Sequence, residues 1–270
     1  MIRRHVGDWF YLISQNDHAH LSGRIAAHFG NAMFAPPDPR EETVTAISMH
    51  DCGWPLHDEQ PLLNRDGLPL DVFESPLTNS LRLWTAAAER AETVSPYVGL
   101  LVSLHVLGLS GFAATRQHSR QEVFELNRFQ HAEIERQEAL RRKLGLATDR
   151  PTRLGLSLEP GDPAEQKLRR NHGIVQIHDR LSLALCCTQL PVAEIENVVA
   201  KPGESPITLD LSRPAPTTVV VHPWPFDQPI LKLSVPYRAV PARRYANLEE
   251  FHAEYAKATA GELELELSAQ

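Results

Sequence analysis

Apolar residues recur at helical spacing through most of the first 190 residues, and this pattern predicts a mainly α chain. Leu21, Ile25 and Ala26 form the apolar face of an early helix. From Ser119 to Leu144, apolar positions alternate with Glu, Arg and Gln at the same spacing, which is typical of a long helix with one solvated face. Ser95-Pro96 places an N-cap residue before a first-turn proline, so a buried helix is predicted to begin there.

Two more helices and a long loop are predicted between these segments. Glu41 and Glu42 suit the N-terminal end of a helix that runs to about Asp51, and another helix is predicted from about Ser80 to Ala91. Residues 53–79 are rich in Pro, Asp and Gly, which predicts a long irregular loop. Such loops are often functional, and this one directly follows a His-Asp pair.

A capping-box pattern predicts the last helix of this region. The helix begins with Asp162-Pro163-Ala164-Glu165 and should run to about Cys187 or be interrupted near Gly173. On this helix, Asp179 falls on the same face as Leu183 and Cys186, so it is expected to point inward. Because an unpaired buried carboxylate is costly, Asp179 requires a partner in the core.

Short β-type runs change the pattern after residue 191. Ile207–Leu211, Thr217–Val221 and Ile230–Val235 are separated by proline-containing turns, and a closing helix is predicted around Leu248–Ala258. Trp9–Ile13 (WFYLI) is predicted to be a strand or extended arm on the core. The predicted architecture is a helical domain over residues 1–191. A small antiparallel β segment with a closing helix, over residues 192–270, packs on that helical body.

Composition indicates a soluble globular protein. Hydrophobic residues make up 42% and charged residues 23% of the 270 positions, which is ample for a real core. The net charge of −7 argues against a nucleic-acid backbone as partner, and the longest apolar run, around Val98 to Leu109, is too short to span a bilayer. Cys52, Cys186 and Cys187 form no metal-binding spacing, so a reducing, cytoplasmic location without membrane contact is predicted.

Histidine and aspartate residues on apolar helical faces indicate a metal site. They come from at least four segments: His18, His50, Asp51, His105 and Asp179. Imidazole and carboxylate ligands together suit Mn, Fe, Zn or Ni, and a metal held by such ligands with an open position activates water. A divalent transition metal is therefore the predicted cofactor.

The order of these residues is similar to that in the HD superfamily of metal-dependent phosphohydrolases. In that superfamily the ligands are an early helical histidine, an adjacent His-Asp pair and a late helical aspartate. The resemblance implies an HD-like helical bundle whose metal ligands here are His18, His50, Asp51 and Asp179. His20 is the alternative to His18, and we prefer His18 because it begins the shared pattern.

A second resemblance extends over nearly the whole chain. The segments QNDHAHLSGRIA, HDCGW, SPYVGLLVSLH, IHDRLSLALC and HPWPF together resemble a bacterial family of unknown function known as DUF3891. This family supplies no chemistry of its own, so the expected chemistry follows from the HD-like pattern.

The HD-like pattern implies a hydrolase that acts on a phosphoester, such as a nucleotide or another small phosphorylated compound, through metal-activated water. His105 is a candidate catalytic residue, as a phosphate contact or a ligand of a second metal, and Glu59 is a candidate proton-transfer group. The expected partner is a small-molecule substrate. Two other functions remain open: a non-catalytic HD-like metal- or ligand-binding module, and a di-iron HD-like oxygenase.

Overall fold

The computed structural model describes residues 1–146 and 163–270. The helices are α1 (Gln15–Ala26), α2 (Arg40–Met49), α3 (Pro55–Glu59), α4 (Leu77–Glu92), α5 (Pro96–Ala113), α6 (Arg120–Lys143), α7 (Pro163–Cys186) and α8 (Leu248–Lys257), with a short 3-10 helix at Val72–Glu74. The strands are β1 (Ile2–Val6), β2 (Trp9–Ile13), β3 (Glu194–Val198), β4 (Ile207–Ala215), β5 (Thr218–His222), β6 (Ile230–Pro241) and β7 (Thr259–Ala269).

The prediction of a mainly α fold with a small C-terminal β segment is wrong, because the protein is α+β. About 48% of it is helical, and seven strands form one curled mixed sheet in the order β1-β2-β6-β7-β5-β4-β3. All neighbouring strands are antiparallel except β5 and β7, which are parallel. The sheet is large because β1 and β2, from the start of the chain, pair alongside strands that follow α7. The prediction that the chain divides at residue 191 stays a prediction.

Strand β7, which was not predicted, has the alternating pattern of a strand with one buried face. Leu263, Leu265 and Leu267 are buried, and they alternate with glutamates along the segment GELELEL. This period of two is typical of a strand with one buried face. β7 lies between β6 and β5, so it joins the β1-β2-β6 part of the sheet to the β5-β4-β3 part.

The predicted helices with clear capping signals are confirmed. Ser95 Oγ accepts a hydrogen bond from Val98 N at the start of α5, and Ser119 forms a capping box at the start of α6. α7 passes through Gly173 without interruption, while Asp162, its predicted N-cap, lies outside the described residues. The segment predicted as irregular loop contains α3 and the 3-10 helix.

Helix α5 is the apolar centre of the helical body. Its length and composition would allow a membrane span, but 67% of it is buried inside the structure, between neighbouring helices. A helix that is apolar on all sides is typical of the core of a large protein, and the burial of α5 agrees with that position. The cytoplasmic location stays a prediction.

Two arginines of the sheet bind the C-terminal end of α7. Arg4, on β1, is 3% exposed, and its Nη1 donates to the carbonyl of Leu185 (2.6 Å) and to those of the next two residues. Arg213, on β4, donates to the carbonyl of Ala184. Because the last carbonyls of a helix have no partner within it, these guanidinium groups satisfy them and fix α7 against the sheet.

Replacing Arg4 with methionine should lower the free energy of unfolding by about 3 kcal/mol, because buried helix-end carbonyls lose charged donors. Urea denaturation of Arg4→Met measures this change. Arg116→Met is the control, since Arg116 is exposed and its loss should change stability by less than about 0.5 kcal/mol. Equal stability of the two variants would contradict the proposed anchoring.

The buried His178 should lower the stability of the protein at acid pH. Its ring lies 5.2 Å from that of Phe29 and 6.0 Å from that of Phe226, and burial lowers its pKa to about 4. Because the folded pKa lies below the unfolded value of about 6.5, protonation of His178 favours the unfolded state. The free energy of unfolding is therefore not reduced by His178 above about pH 6.5, and it decreases as pH falls to about 4.

His178→Phe keeps the aromatic packing and removes the titrating group. The loss of unfolding free energy between pH 6.5 and pH 4 should therefore shrink by up to about 3 kcal/mol. Urea denaturation across this pH range measures the effect, and His131→Phe, at a position with a side chain 76% exposed, is the control. An acid dependence that is the same in His178→Phe as in the unmodified protein would contradict the prediction.

Candidate metal centre

Three buried side chains from different helices meet at one point in the core. His18 lies on α1, His50 directly follows α2, and Asp179 lies on α7. The Nε2 atoms of His18 and His50 are 3.2 Å apart. Asp179 Oδ1 lies 3.1 Å from His18 Nε2 and 3.4 Å from His50 Nε2. We call these three residues the ligand triangle.

The dimensions of the ligand triangle fit a transition-metal ion. Ligand atoms about 2.1 Å from one ion are about 3.0 Å apart at a right angle and about 3.4 Å apart at the tetrahedral angle. The three observed separations, 3.1, 3.2 and 3.4 Å, lie within this interval. Two imidazole nitrogens and one carboxylate oxygen are also a donor set suited to Zn or Fe. The residues present therefore fit a divalent transition metal.

Asp51 lies beside the ligand triangle at a greater distance. Its Oδ2 is 3.6 Å from His50 Nε2 and 3.8 Å from His18 Nε2. Helix α2 ends at Met49 and the chain then turns, so the adjacent side chains of His50 and Asp51 can face the same centre. The structure thus places all four ligands predicted from the sequence in one cluster, with Asp51 at its edge.

Hydrogen bonds behind the two imidazoles orient them toward the centre. His50 Nδ1 lies 2.7 Å from the carbonyl of Ile47, which can only accept, so Nδ1 carries a proton and Nε2 is left for the centre. His18 Nδ1 lies 2.8 Å from Ser182 Oγ, and that hydroxyl also contacts Ser22 Oγ (2.6 Å) and the carbonyl of Asp179 (2.9 Å). Partners of this kind fix the ring orientation of metal-binding histidines.

Burial and charge shift the pKa values within the cluster. Burial opposes the ionisation of Asp179, but hydrogen bonds to His18 and His50 outweigh it and hold the pKa of this carboxyl well below its usual range. Burial also opposes the charge on His50, yet Asp51 and Asp179 outweigh it and raise the pKa of His50 to about 9. Burial raises the pKa of Asp51. The cluster therefore favours an added positive charge, which a divalent cation supplies.

The two carboxylates lie on the accessible side of the cluster. The side chains of His18 and His50 are 1% and 0% exposed, whereas those of Asp51 and Asp179 are 8% and 13% exposed. Solvent and a small ligand would therefore reach the centre past the carboxylates, while the imidazoles are sealed in the core.

His105, on α5, lies next to the ligand triangle but outside it. Its ring centroid is 5.0 Å from that of His50, and its Nε2 is 3.8 Å from Asp179 Oδ2. The ring is 2% exposed, and neither nitrogen has a hydrogen-bond partner among the described residues. Burial lowers the pKa of His105 to about 3, so the ring is neutral.

The other two sequence candidates do not lie in the buried cluster. His20 is exposed on α1, so the structure distinguishes it from the buried His18. Glu59 is exposed at the end of α3, and its proposed proton-transfer role stays a prediction. Its neighbour Asp58 is the buried carboxylate of this segment, and Asp58 Oδ2 accepts from Gln15 N at the start of α1.

Comparison with known proteins identifies a family. A family model described as "Protein of unknown function (DUF3891)" matches residues 1–242. The chain belongs to the DUF3891 family. No curated protein and no solved structure matches it. The matched region of this DUF3891 protein includes the ligand triangle, Asp51 and His105, and it ends before α8 and β7.

Two serines of this DUF3891 protein support His18 and were not predicted from the sequence. Ser22 follows His18 by four residues on α1, and Ser182 follows Asp179 by three residues on α7. Residues at these spacings share a helix face, so small polar residues one turn from each ligand were the available signal. Their mutual contact across α1 and α7 became evident only from the packing of the two helices.

Replacing His18 of the DUF3891 protein should weaken metal binding strongly, whereas replacing its exposed neighbour His20 should not. His18→Ala is expected to weaken binding of Zn²⁺ by more than about 100-fold, because even outer partners of metal ligands contribute about 10- to 100-fold. His20→Ala is the matched control, on the same helix but exposed. Competition with a chromogenic chelator measures both affinities, and equal affinities would contradict the assignment of His18.

Proposed function

We propose that this DUF3891 protein is an HD-like metal-dependent hydrolase that acts on a small phosphoester. The observation that carries the proposal is the ligand triangle, in which two oriented imidazoles and one carboxylate have the separations of ligands to a single ion. The chain order of these residues, with Asp51 directly after His50, adds the HD-like pattern. A divalent metal held there would lower the pKa of a water molecule and polarise a phosphoryl oxygen.

The residues of the chain have separate tasks in this proposal. His18, His50 and Asp179 hold the metal, and their buried hydrogen bonds keep the Nε2 and Oδ1 atoms in place before substrate arrives. The sequence predicts Asp51 as a fourth metal ligand, and that prediction is untested. Because its Oδ2 lies 3.6 and 3.8 Å from the two Nε2 atoms, on the accessible side, we propose that it instead accepts the proton of the attacking water. Carboxylates are common proton acceptors when they are positioned beside a reacting group.

The proposed metal would itself have to neutralise the phosphoryl group of the substrate. Among the described residues, no lysine or arginine side chain forms an ion pair or hydrogen bond with the ligand triangle or Asp51. Arg24 donates to the carbonyl of Ser234 on β6, and Arg116 and Arg120 are exposed. The metal would therefore be the main cation available to the phosphoryl group.

A second candidate function is oxygen chemistry at iron. Two histidines and one carboxylate on one side of an ion, with other positions open, are also the donor set of non-haem Fe(II) oxygenases. The ligand triangle has this composition, and Asp51 lies slightly farther away. Loading with different metals distinguishes the two functions, because phosphoester hydrolysis does not consume oxygen.

Asp51→Asn should lower phosphoester hydrolysis by at least about 100-fold while metal still binds at the ligand triangle, since it removes the proton acceptor. Phosphate release from a panel of small phosphoesters, with Mn²⁺, Zn²⁺ or Fe²⁺ added, measures the activity. Asp66→Asn, at an exposed loop position, is the control.

The outcomes separate the candidate functions. Hydrolysis that is unchanged in Asp51→Asn would contradict the role of Asp51. Oxygen consumption by the Fe²⁺-loaded protein without phosphate release would favour the oxygenase. Metal binding without either activity would favour a non-catalytic binding module.

A further inference from the structure

The segment after the His-Asp pair is joined to the start of α1 by a chain of hydrogen bonds. Trp54 N donates to the carbonyl of Asp51 (3.1 Å), and Asp58 N donates to the carbonyl of Trp54 (2.9 Å). Asp58 Oδ2 in turn accepts from Gln15 N (2.7 Å). Trp54 and Gln15 are thereby held near each other, beside Asp51 and one helical turn from His18.

Gln15, the first residue of α1, is buried with an unpaired donor. It precedes His18 by three residues and Ser22 by seven, so all three share one face of the helix. The contacts of His18 and Ser22 with α7 show that this face packs against the helix that carries Asp179. Gln15 is 2% exposed, and its Nε2, which only donates, has no hydrogen-bond partner among the described residues.

Trp54 carries a second buried donor without a partner. It is 2% exposed, yet it belongs to neither of the two apolar clusters that the buried side chains of the described residues form. The centroid of its ring lies 5.3 Å from that of His57. Its Nε1, which only donates, has no hydrogen-bond partner in the described part of the chain. Because the N–H of a buried tryptophan usually has a partner, this donor requires an explanation.

We propose that Gln15 Nε2 and Trp54 Nε1 donate hydrogen bonds to the phosphoryl oxygens of the substrate, an inference that rests on the proposed hydrolase function. Buried donors in native proteins generally have a partner in protein, ligand or water, and phosphoryl oxygens accept hydrogen bonds. Neutral N–H groups stabilise developing negative charge in other active sites. Since both nitrogens are buried, the short helix α3 has to shift when the phosphoryl group binds.

Calorimetric titration of the Zn²⁺-loaded full-length chain with inorganic phosphate tests the proposal. Trp54→Phe and Gln15→Met each remove one donor and keep most of the side-chain volume. Each should weaken phosphate binding by about 10-fold or more, because a hydrogen bond to a charged group is lost. Zn²⁺ affinity, measured by chelator competition, should stay unchanged, because neither residue is a proposed metal ligand. Trp9→Phe, at a position 48% exposed, and Gln117→Met, also at an exposed position, are the matched controls.

The outcomes distinguish this proposal from the proposed function. Equal phosphate affinity in the unmodified protein and in both donor variants would overturn the donors and leave the hydrolase standing. A matching loss of Zn²⁺ and phosphate affinity would also overturn them, because it would indicate a structural role. Zn²⁺ binding without phosphate binding by the unmodified protein would overturn the donors while the hydrolysis assay decides the function, and no Zn²⁺ binding would overturn both. If urea denaturation shows that one variant does not fold, the other variant decides.

Discussion

The buried contact between His18 and Asp179 is the interaction on which the rest of the site depends. A carboxylate in a helical core is costly unless charged or hydrogen-bonding groups surround it. Here the contact joins α1 to α7, and the hydrogen bond between Ser22 and Ser182 continues it one turn farther along the same interface. The two helices are thereby held in one register, and that register determines where His50, Asp51 and His105 can meet Asp179.

The sheet contributes by fixing the helix that carries Asp179. Arg4 and Arg213 bind the last carbonyls of α7 from strands that lie at different ends of the sheet. The pairing of β1 with β2 and of β2 with β6 therefore has a consequence for the proposed metal centre, although none of the described strands supplies one of its candidate ligands. Rigid secondary structure of this kind suits a site whose ligand atoms must keep separations near 3 Å.

The cluster has the donor atoms and the charge that the proposed metal site requires. Two carboxylates and two imidazoles face one point, and the field of the carboxylates raises the pKa of His50 to about 9. A field that retains a proton so strongly also attracts a metal ion, and the exposed edges of Asp51 and Asp179 provide a path to it. His105 lies beside this cluster, and among the described residues it is the histidine for which both buried ring nitrogens lack a hydrogen-bond partner.

The sequence by itself determined the helices with strong caps, the strands with runs of β-branched residues, and the candidate ligands, because these signals are local. It did not determine the sheet. The pairing of β2 with β6 depends on contacts between residues more than 200 positions apart, and the leucine–glutamate alternation of β7 does not by itself show which strands it pairs with. It also could not separate His18 from His20 by distance, show Ser182 behind His18, or place Glu59 outside the buried cluster. Those outcomes depend on which helix faces pack together, and only the tertiary structure brings residues 161 positions apart to within 3.1 Å.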